Sequence, residues 1–478
     1  MTITPFSLQI ACTRPATPQY VVAWQRGRID GILIMMRWHP ASLLPILPAL
    51  VLVMIAGTAP AAPPRHKAPR PKLGYRIELS TVVKGFDGKT CWVHTRPGAI
   101  PPGTPGNPGK TPIVLITLQK LMLTRSDVFF GLHDLRTDNL GRNWIGPTGH
   151  QSLRRRQATK QTSVVPCDFW PLWHAATKTL LGTGKTFYYT TKDQRHLARA
   201  PSETAYSAYD PITRKWDPWK TLKLPDDPKF KNASAGCAQR YDLPNGDILL
   251  PIYYRRRDQT EHRVTVCRCR FDGKTLRFVE HGDELELPPA EKHGDGFSEP
   301  SITRFNGRFY MTLRTVKYGY VTTSRDGLHF GPLKKWTFDN GADLGSYNTQ
   351  QHWVTHSDGL FLVYTRRGLN NDHVIRHRAP LVIAEVDPRR VTVKRQTERI
   401  LVPERGTRLG NFGMTDVSPT ETWITTVEWM QPVGVAKYGS DNSVFVAKLI
   451  WNRPNLASIV AGKTTGKGPD PRSPSVGN

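Results

Sequence analysis

Glu299 and Arg314 lie fifteen positions apart in SEPSITRFNGRFYMTLRT, the first just before an apolar strand pattern and the second at the end of the next. A carboxylate and a guanidinium at the ends of adjacent strands can meet, and such a pair suits proton chemistry or the capture of an acidic ligand. The position recurs. Counting seven residues on from Gly307 reaches Arg314, and the same count from Gly246, Gly359 and Glu421 reaches Tyr253, Arg366 and Glu428. Polar residues at equivalent places in repeated units imply a shared rim, although strand-end arginines are also ordinary surface charge. Histidine supplies candidate bases: His174 in WPLWHAAT, His373 and His377 in NNDHVIRHR, and His352 after the polar run Asn348-Thr349-Gln350-Gln351. Gln351 and His352 stand, one unit on, where Glu299 stands. Each histidine alone reads more readily as a packed or surface residue, and His352 is the first choice among them.

The elements that must position these residues are short strands. Ser301 to Phe305, Phe309 to Leu313 and Gly319 to Thr323 are joined by Asn306-Gly307 and closed by Asp326-Gly327, which are strong hairpin signals because the turn needs positive φ. Comparable apolar strands begin near Ile113, Leu180, Ile248, Phe309, Leu360 and Trp423, at intervals of 67, 68, 61, 51 and 63 residues. A period of this size built from strands means a radial array, and six four-stranded units suit an all-β, six-bladed β-propeller. The strand Arg76 to Val83 is then free to complete the last blade. The propeller is expected over 75–453, after a Pro/Lys-rich linker at 62–74 and before a disordered tail at 454–478.

The apolar run Ala41 to Gly57 follows Arg37 and His39 and leads to Thr58-Ala59-Pro60-Ala61, the pattern of a secretory signal peptide cleaved before Ala62. Residues 1–61 are thus read as a signal with an upstream extension, and a start at Met35 or Met36 would give one of ordinary length. The expected location is secreted or periplasmic, with no membrane span after cleavage. Cleavage removes four arginines and one aspartate, taking the net charge from +27 to 27 − 3 = +24. A field of that sign attracts polyanions, which outside the cytosol are acidic glycans more often than nucleic acid. No nucleic-acid motif accompanies the run Arg154-Arg155-Arg156, so no nucleic-acid partner is expected. Five cysteines remain, an odd number, and Cys267 and Cys269 sit on one strand face where they cannot easily bridge. With no C-x-x-C or H-E-x-x-H spacing, neither a metal nor a cofactor is expected. The chain is expected to act as a monomer.

Two turns, Ser324 to Phe330 (SRDGLHF) and Thr137 to Trp144 (TDNLGRNW), resemble the Asp box of sialidases and related propellers, the first one residue short and the second with Asn139 in place of Asp. The resemblance extends to residues. Glu299 and Arg314 match the glutamate and second arginine of exo-α-sialidases in spacing and context, and Arg378 in HRAPLVIAEV resembles the third arginine. His94-Thr95-Arg96-Pro97 looks like a degraded first-arginine motif, and Asp127, nine residues before Arg136, looks like the acid/base position. The resemblance implies that Arg96, Arg314 and Arg378 clamp a sugar carboxylate while Asp127 handles the proton. It also implies a tyrosine nucleophile, yet the matching segment Gly410 to Val417 contains none. Tyr438, in AKYGSDNSVF, is left to reach the site from its loop, with Glu299 as its helper or as the direct nucleophile.

The expected activity is a sialidase-like glycosidase that removes a terminal acidic sugar from glycans, with Asp127, Glu299 and Tyr438 catalytic. Arg96, Arg314, Arg366, Arg378, His174, Gln351 and His352 would bind substrate. Two alternatives stay open. A uronate-specific polysaccharide lyase would use a His or Tyr base, His352 being the first choice, and needs no covalent nucleophile. A glycan-binding propeller would keep the arginines and lack the chemistry.

Overall fold

The computed structural model describes residues 72–125, 127–190, 192, 202–256 and 258–458. The apolar stretch at 41–57, the expected cleavage site before Ala62, most of the linker and the end of the tail lie outside the described residues. Six antiparallel sheets form the ring of a six-bladed β-propeller. The innermost strands, in blade order I to VI, are Thr90–Ile100, Thr162–His174, the pieces Ala233–Ser234 and Tyr241–Asp242, Ser298–Phe305, His352–His356 and Gly413–Ser418. Among the described residues the helical segments are short 3-10 turns, and no helix is long and apolar enough to cross a membrane.

The ring closes by pairing its ends. Strand Tyr75–Lys84 lies antiparallel to Ser443–Trp451, Tyr75 opposite Trp451 and Lys84 opposite Ser443, so the first strand becomes the outer edge of blade VI. Closure leaves only short edges at the rim of each blade. The local turn chemistry behaves as its residues demand. Asn306 at φ 47° and Gly307 at φ 79° are both left-handed, the geometry of a type I′ hairpin. In the other turn Ser324 Oγ accepts from the Gly327 amide at 2.8 Å, and Asp326 Oδ1 accepts from the amides of Leu328 at 2.9 Å and His329 at 2.8 Å. The side chains there do the work of a backbone ladder.

Packing between blades is aromatic. Phe361 of blade V sets its ring against Trp451 and Tyr75 of blade VI, at 5.4 and 5.7 Å, and Trp336 meets Trp353 at 5.7 Å between IV and V. Near the axis Trp170, His352 and Phe412 form a buried edge-to-face cluster, with ring centroids 4.8 and 5.0 Å from the imidazole. These contacts fix the blades' inner ends relative to one another, which is what a site shared between blades requires. All five described cysteines are buried.

Candidate functional site

In five blades the innermost strand carries a residue with the same unusual backbone, within it or just beside it. His94, Asp168, Cys237, Glu299 and Asn348 have φ between 48° and 58°, a conformation that non-glycine residues rarely adopt. At three of them the ladder slips: the register shifts between Val93 and Arg96, between Cys167 and Trp170, and between Ser298 and Ser301. The resulting bulges turn one side chain per blade toward the axis. His94, Asp168, Cys237 and Glu299, together with Asn411 from the start of blade VI, line one cavity of about 360 Å³. Strain repeated around a ring is the mark of a position that the rest of the structure holds deliberately.

A second circle of residues, from the neighbouring strand of each blade, answers the first. In blade II the Lys185 ammonium lies 3.2 Å from Asp168 Oδ2, and His94 Nε2 of blade I is 2.9 Å from Asp168 Oδ1. In blade III the Tyr253 hydroxyl accepts from Lys185 Nζ at 3.2 Å. In blade IV Arg314 Nη1 meets Glu299 Oε1 at 2.5 Å while its Nη2 donates to Asn348 Oδ1 of blade V at 2.6 Å. Arg378 donates through Nε to the Asn348 carbonyl oxygen at 3.0 Å, and Arg376 reaches the cavity from the same short turn.

Charge in this cavity is unevenly matched. Burial works to raise the pKa of Asp168, but His94 and Lys185 override it and hold the carboxyl well below its usual range. Burial also opposes ionisation of Glu299, and the Arg314 guanidinium outweighs it, so the net shift is downward. Both carboxylates are therefore charged at neutral pH. Arg378 has no such partner: burial first, then repulsion from Arg314, pushes its pKa well below normal. Arg376 has no hydrogen bond or ion pair among the described residues. Two guanidinium groups, one of them only 6% exposed, thus face the cavity without a carboxylate of their own. Burying an uncompensated charge costs several kcal/mol, roughly, and an anionic ligand would relieve that cost. No group of three or more His, Cys, Asp or Glu side chains among the described residues is placed to hold a metal ion.

The structure sorts the residues picked out in the sequence. Asp127, Glu299, Arg314 and Arg378 all line the cavity. Asp127 sits on a left-handed turn at the rim, where its carbonyl oxygen accepts from the Tyr189 hydroxyl at 2.8 Å. Arg96 does not reach the cavity. Its guanidinium is fully buried beneath the floor, over the Trp170 ring at 5.5 Å, bonded to Gln350 Oε1 at 2.8 Å and to the Phe412 carbonyl oxygen. The bulge at Val93–Arg96 explains this, since it gives His94 the place facing the axis and turns Arg96 under. His352 belongs to the same floor, with Nδ1 2.6 Å from Ser301 Oγ and Nε2 3.0 Å from Gln350 Oε1. Burial and then Arg96 hold it neutral, and no ligand in the cavity can touch it. Gln351 is bound to Thr312 Oγ1 and Ser346 Oγ between blades IV and V.

Three further residues lie elsewhere. His174, at the far end of its strand, ties the Gly246 carbonyl oxygen at 2.9 Å to Thr177 at 2.8 Å and stabilises the junction of blades II and III. Arg366 forks onto Glu398 at 2.8 and 2.6 Å. Tyr438 is 44% exposed on a 3-10 turn, its ring 5.1 Å from His373 and outside the cavity lining. Conversely, Asp168, Lys185, Arg376 and His94 were not picked out from the sequence as site residues. The signal available for Asp168 was a lone carboxylate inside the apolar run VVPCDFWPLW.

No family model matches the sequence, and no curated protein sequence matches it. Solved structures do. The Hadza microbial sialidase Hz136 superposes with a TM-score of 0.51 at 11% identity, over 76% of this chain and 66% of that one. Trypanosoma rangeli sialidase in complex with the inhibitor DANA gives 0.48 at 12% identity, over 75% of this chain, which spans only 55% of that enzyme's length. Penicillium chrysogenum α-L-arabinanase gives 0.46 at 13% identity, over 80% of this chain and 99% of that one. At such identities the likeness is one of architecture, and the chain has the six-bladed, sialidase-like β-propeller fold.

Proposed function

We propose that this chain is an exported glycosidase that cleaves a terminal acidic sugar from a glycan. The observation that carries the reading is the pair of uncompensated guanidinium groups, Arg376 and Arg378, beside Arg314 in a cavity that also contains two ionised carboxylates. A planar guanidinium matches a carboxylate in two parallel hydrogen bonds, so the sugar's acidic group settles against blades IV and V. Glu299 then lies beside the ring and stabilises the positive charge that develops at the anomeric carbon as the bond breaks. Because Asp168 and Glu299 are held ionised, neither donates a proton at neutral pH. Asp127 at the rim protonates the leaving oxygen and afterwards takes a proton from the attacking water. The neighbours' names, sialidases and an arabinanase, agree with glycoside chemistry on this fold. Tyr438 stays outside this scheme because its ring lies outside the cavity lining.

The test is turnover of fluorogenic α-sialosides and β-uronides by the purified protein. Cleavage of one of them, lost in Asp127→Ala and in Arg378→Met, supports the reading; failure of every acidic sugar to bind ends it. Export is checked separately by N-terminal sequencing of the secreted product, which should begin at Ala62.

One observation favours a second reading. Tyr253 and His262 line the same cavity with ring centroids 5.7 Å apart. Burial holds His262 neutral and raises the Tyr253 phenol to about 12. A neutral imidazole next to a phenol is a base and acid pair suited to proton abstraction beside a uronate carboxyl. An acidic polysaccharide that gains unsaturated-uronate absorbance on treatment, with loss of the signal in His262→Ala, would select the lyase over the hydrolase.

A further inference from the structure

The cavity extends beyond the arginines of blades IV and V to a second spare cation. Arg255 lines it from blade III, two blades round the ring from Arg376 and Arg378. Its backbone is held by a hydrogen bond from its amide to the Asn232 carbonyl oxygen at 3.1 Å. Among the described residues its guanidinium makes one hydrogen bond, to the Thr260 carbonyl oxygen at 3.3 Å, and no ion pair. This differs from Lys185, whose charge is spent on Asp168, and from Arg314, whose charge is spent on Glu299. Around Arg255 the wall is polar: Tyr188, Ser202, Asn232 and His262 all face the cavity, and the Ser202 amide donates to Asn232 Oδ1 at 2.9 Å.

We propose that Arg255 forms a second anion subsite, so that the preferred ligand carries acidic groups on two neighbouring sugars and spans the cavity from blade V to blade III. This rests on the acidic-glycan reading above and narrows it from a single terminal acid to a polyanionic glycan. The argument is one of charge placement. Lys185–Asp168 and Arg314–Glu299 are internally neutral, which leaves two unspent poles, Arg376/Arg378 in blade V and Arg255 in blade III. One carboxylate already settles against blades IV and V, and Arg255 stands a further blade away, in blade III. A ligand with two acids satisfies both poles. The strongly basic chain, at +27, favours the same class of ligand through its long-range field.

Calorimetric titration decides it, with galacturonic acid against its α-1,4-linked dimer and N-acetylneuraminic acid against its α-2,8-linked dimer. In the wild type at least one dimer binds about tenfold or more tightly than its monomer, the gain expected from one added charge-assisted pair. In Arg255→Ala that ratio falls to about one, and in Arg255→Lys, which keeps the charge without the fork, it is partly restored. Equal affinity for monomer and dimer in the wild type, or a ratio untouched in Arg255→Ala, overturns the second subsite while monomer binding leaves the acidic-glycan reading standing. If no acid binds, or if Arg378→Met binds the acids as well as the wild type does, the reading itself falls, and the inference with it.

Discussion

The two mouths of the propeller's channel each withdraw a carboxyl group from water, with opposite results. At the upper mouth Glu299 is shifted downward, because Arg314 follows it into the structure at 2.5 Å. At the lower mouth Asp416 of blade VI lines a second cavity of about 210 Å³ and is pushed up to about 6 by burial alone. Its partners are neutral: the Thr422 hydroxyl at 2.7 Å and the Asn455 amide at 3.2 Å. Depth does not decide the charge of a buried acid; the presence of a cation does. The upper mouth has cations to spare, while the lower mouth tolerates an acid that is easily neutralised.

The sharpest way to break the comparison is to remove the cation at the upper mouth. Arg314→Leu leaves Glu299 in a site where its carboxyl is 13% exposed and its nearest guanidinium is gone. A loss of about 3–5 kcal/mol of unfolding free energy is expected, because an uncompensated charge remains. Urea unfolding measures it, and Arg314→Leu with Glu299→Leu should recover most of the loss. A single-variant cost below about 1 kcal/mol would mean that the pair is not what keeps Glu299 ionised.

The second largest effect separates ligand binding from stability at the same mouth. Arg378→Met removes a guanidinium that the fold itself disfavours, replacing it with an apolar chain of similar length. Stability should stay within about 1 kcal/mol of wild type or rise, since hydrophobic replacement of a buried charge is often neutral or favourable. Affinity for an acidic sugar should fall about 100-fold, the loss of a forked, charge-assisted contact. Equal losses of stability and affinity would make Arg378 a structural residue, like Arg366 on Glu398.

How much of this was legible in the sequence follows from which part of the chain is regular. The blades were, because their periodic strands and the Asn306-Gly307 turn obey local rules, and the early strand did find the edge of blade VI. The Glu299 to Arg314 spacing also announced a contact, since a single hairpin with a short turn links them. Across blades the reading loses its footing. The bulges at His94, Asp168 and Glu299 rotate one residue toward the axis without any residue type that signals it. So Arg96 was given the place that His94 holds. Lys185 and Asp168 face one another across a register slip that alternation cannot predict. His352 looked catalytic because it follows a polar run, yet that run, through Gln350, is spent on binding Arg96 and His352 beneath the floor.

The lower mouth supplies the smallest and most discriminating test. With its folded value raised from 3.8 to about 6, Asp416 gives up protons later in the folded protein than in the unfolded chain. Its protonated form therefore contributes stability that is complete below about pH 4 and is lost as pH climbs through about 6. Asp416→Asn keeps the shape and can still accept from Thr422 Oγ1 while abolishing that titration. The variant should gain on the order of 2 kcal/mol over wild type at pH 7.5, less than the full shift implies because water reaches part of the carboxyl, and the two proteins should converge as pH falls toward 4. Glu299 runs the other way: its ionised form contributes stability above the normal carboxylate range that disappears only as pH drops below it. Chemical unfolding at several pH values from about 3 to 7.5 reads both slopes. If Asp416→Asn shows the same pH dependence as wild type, a cation reaches Asp416 after all, and the two mouths do not differ in the way their partners imply.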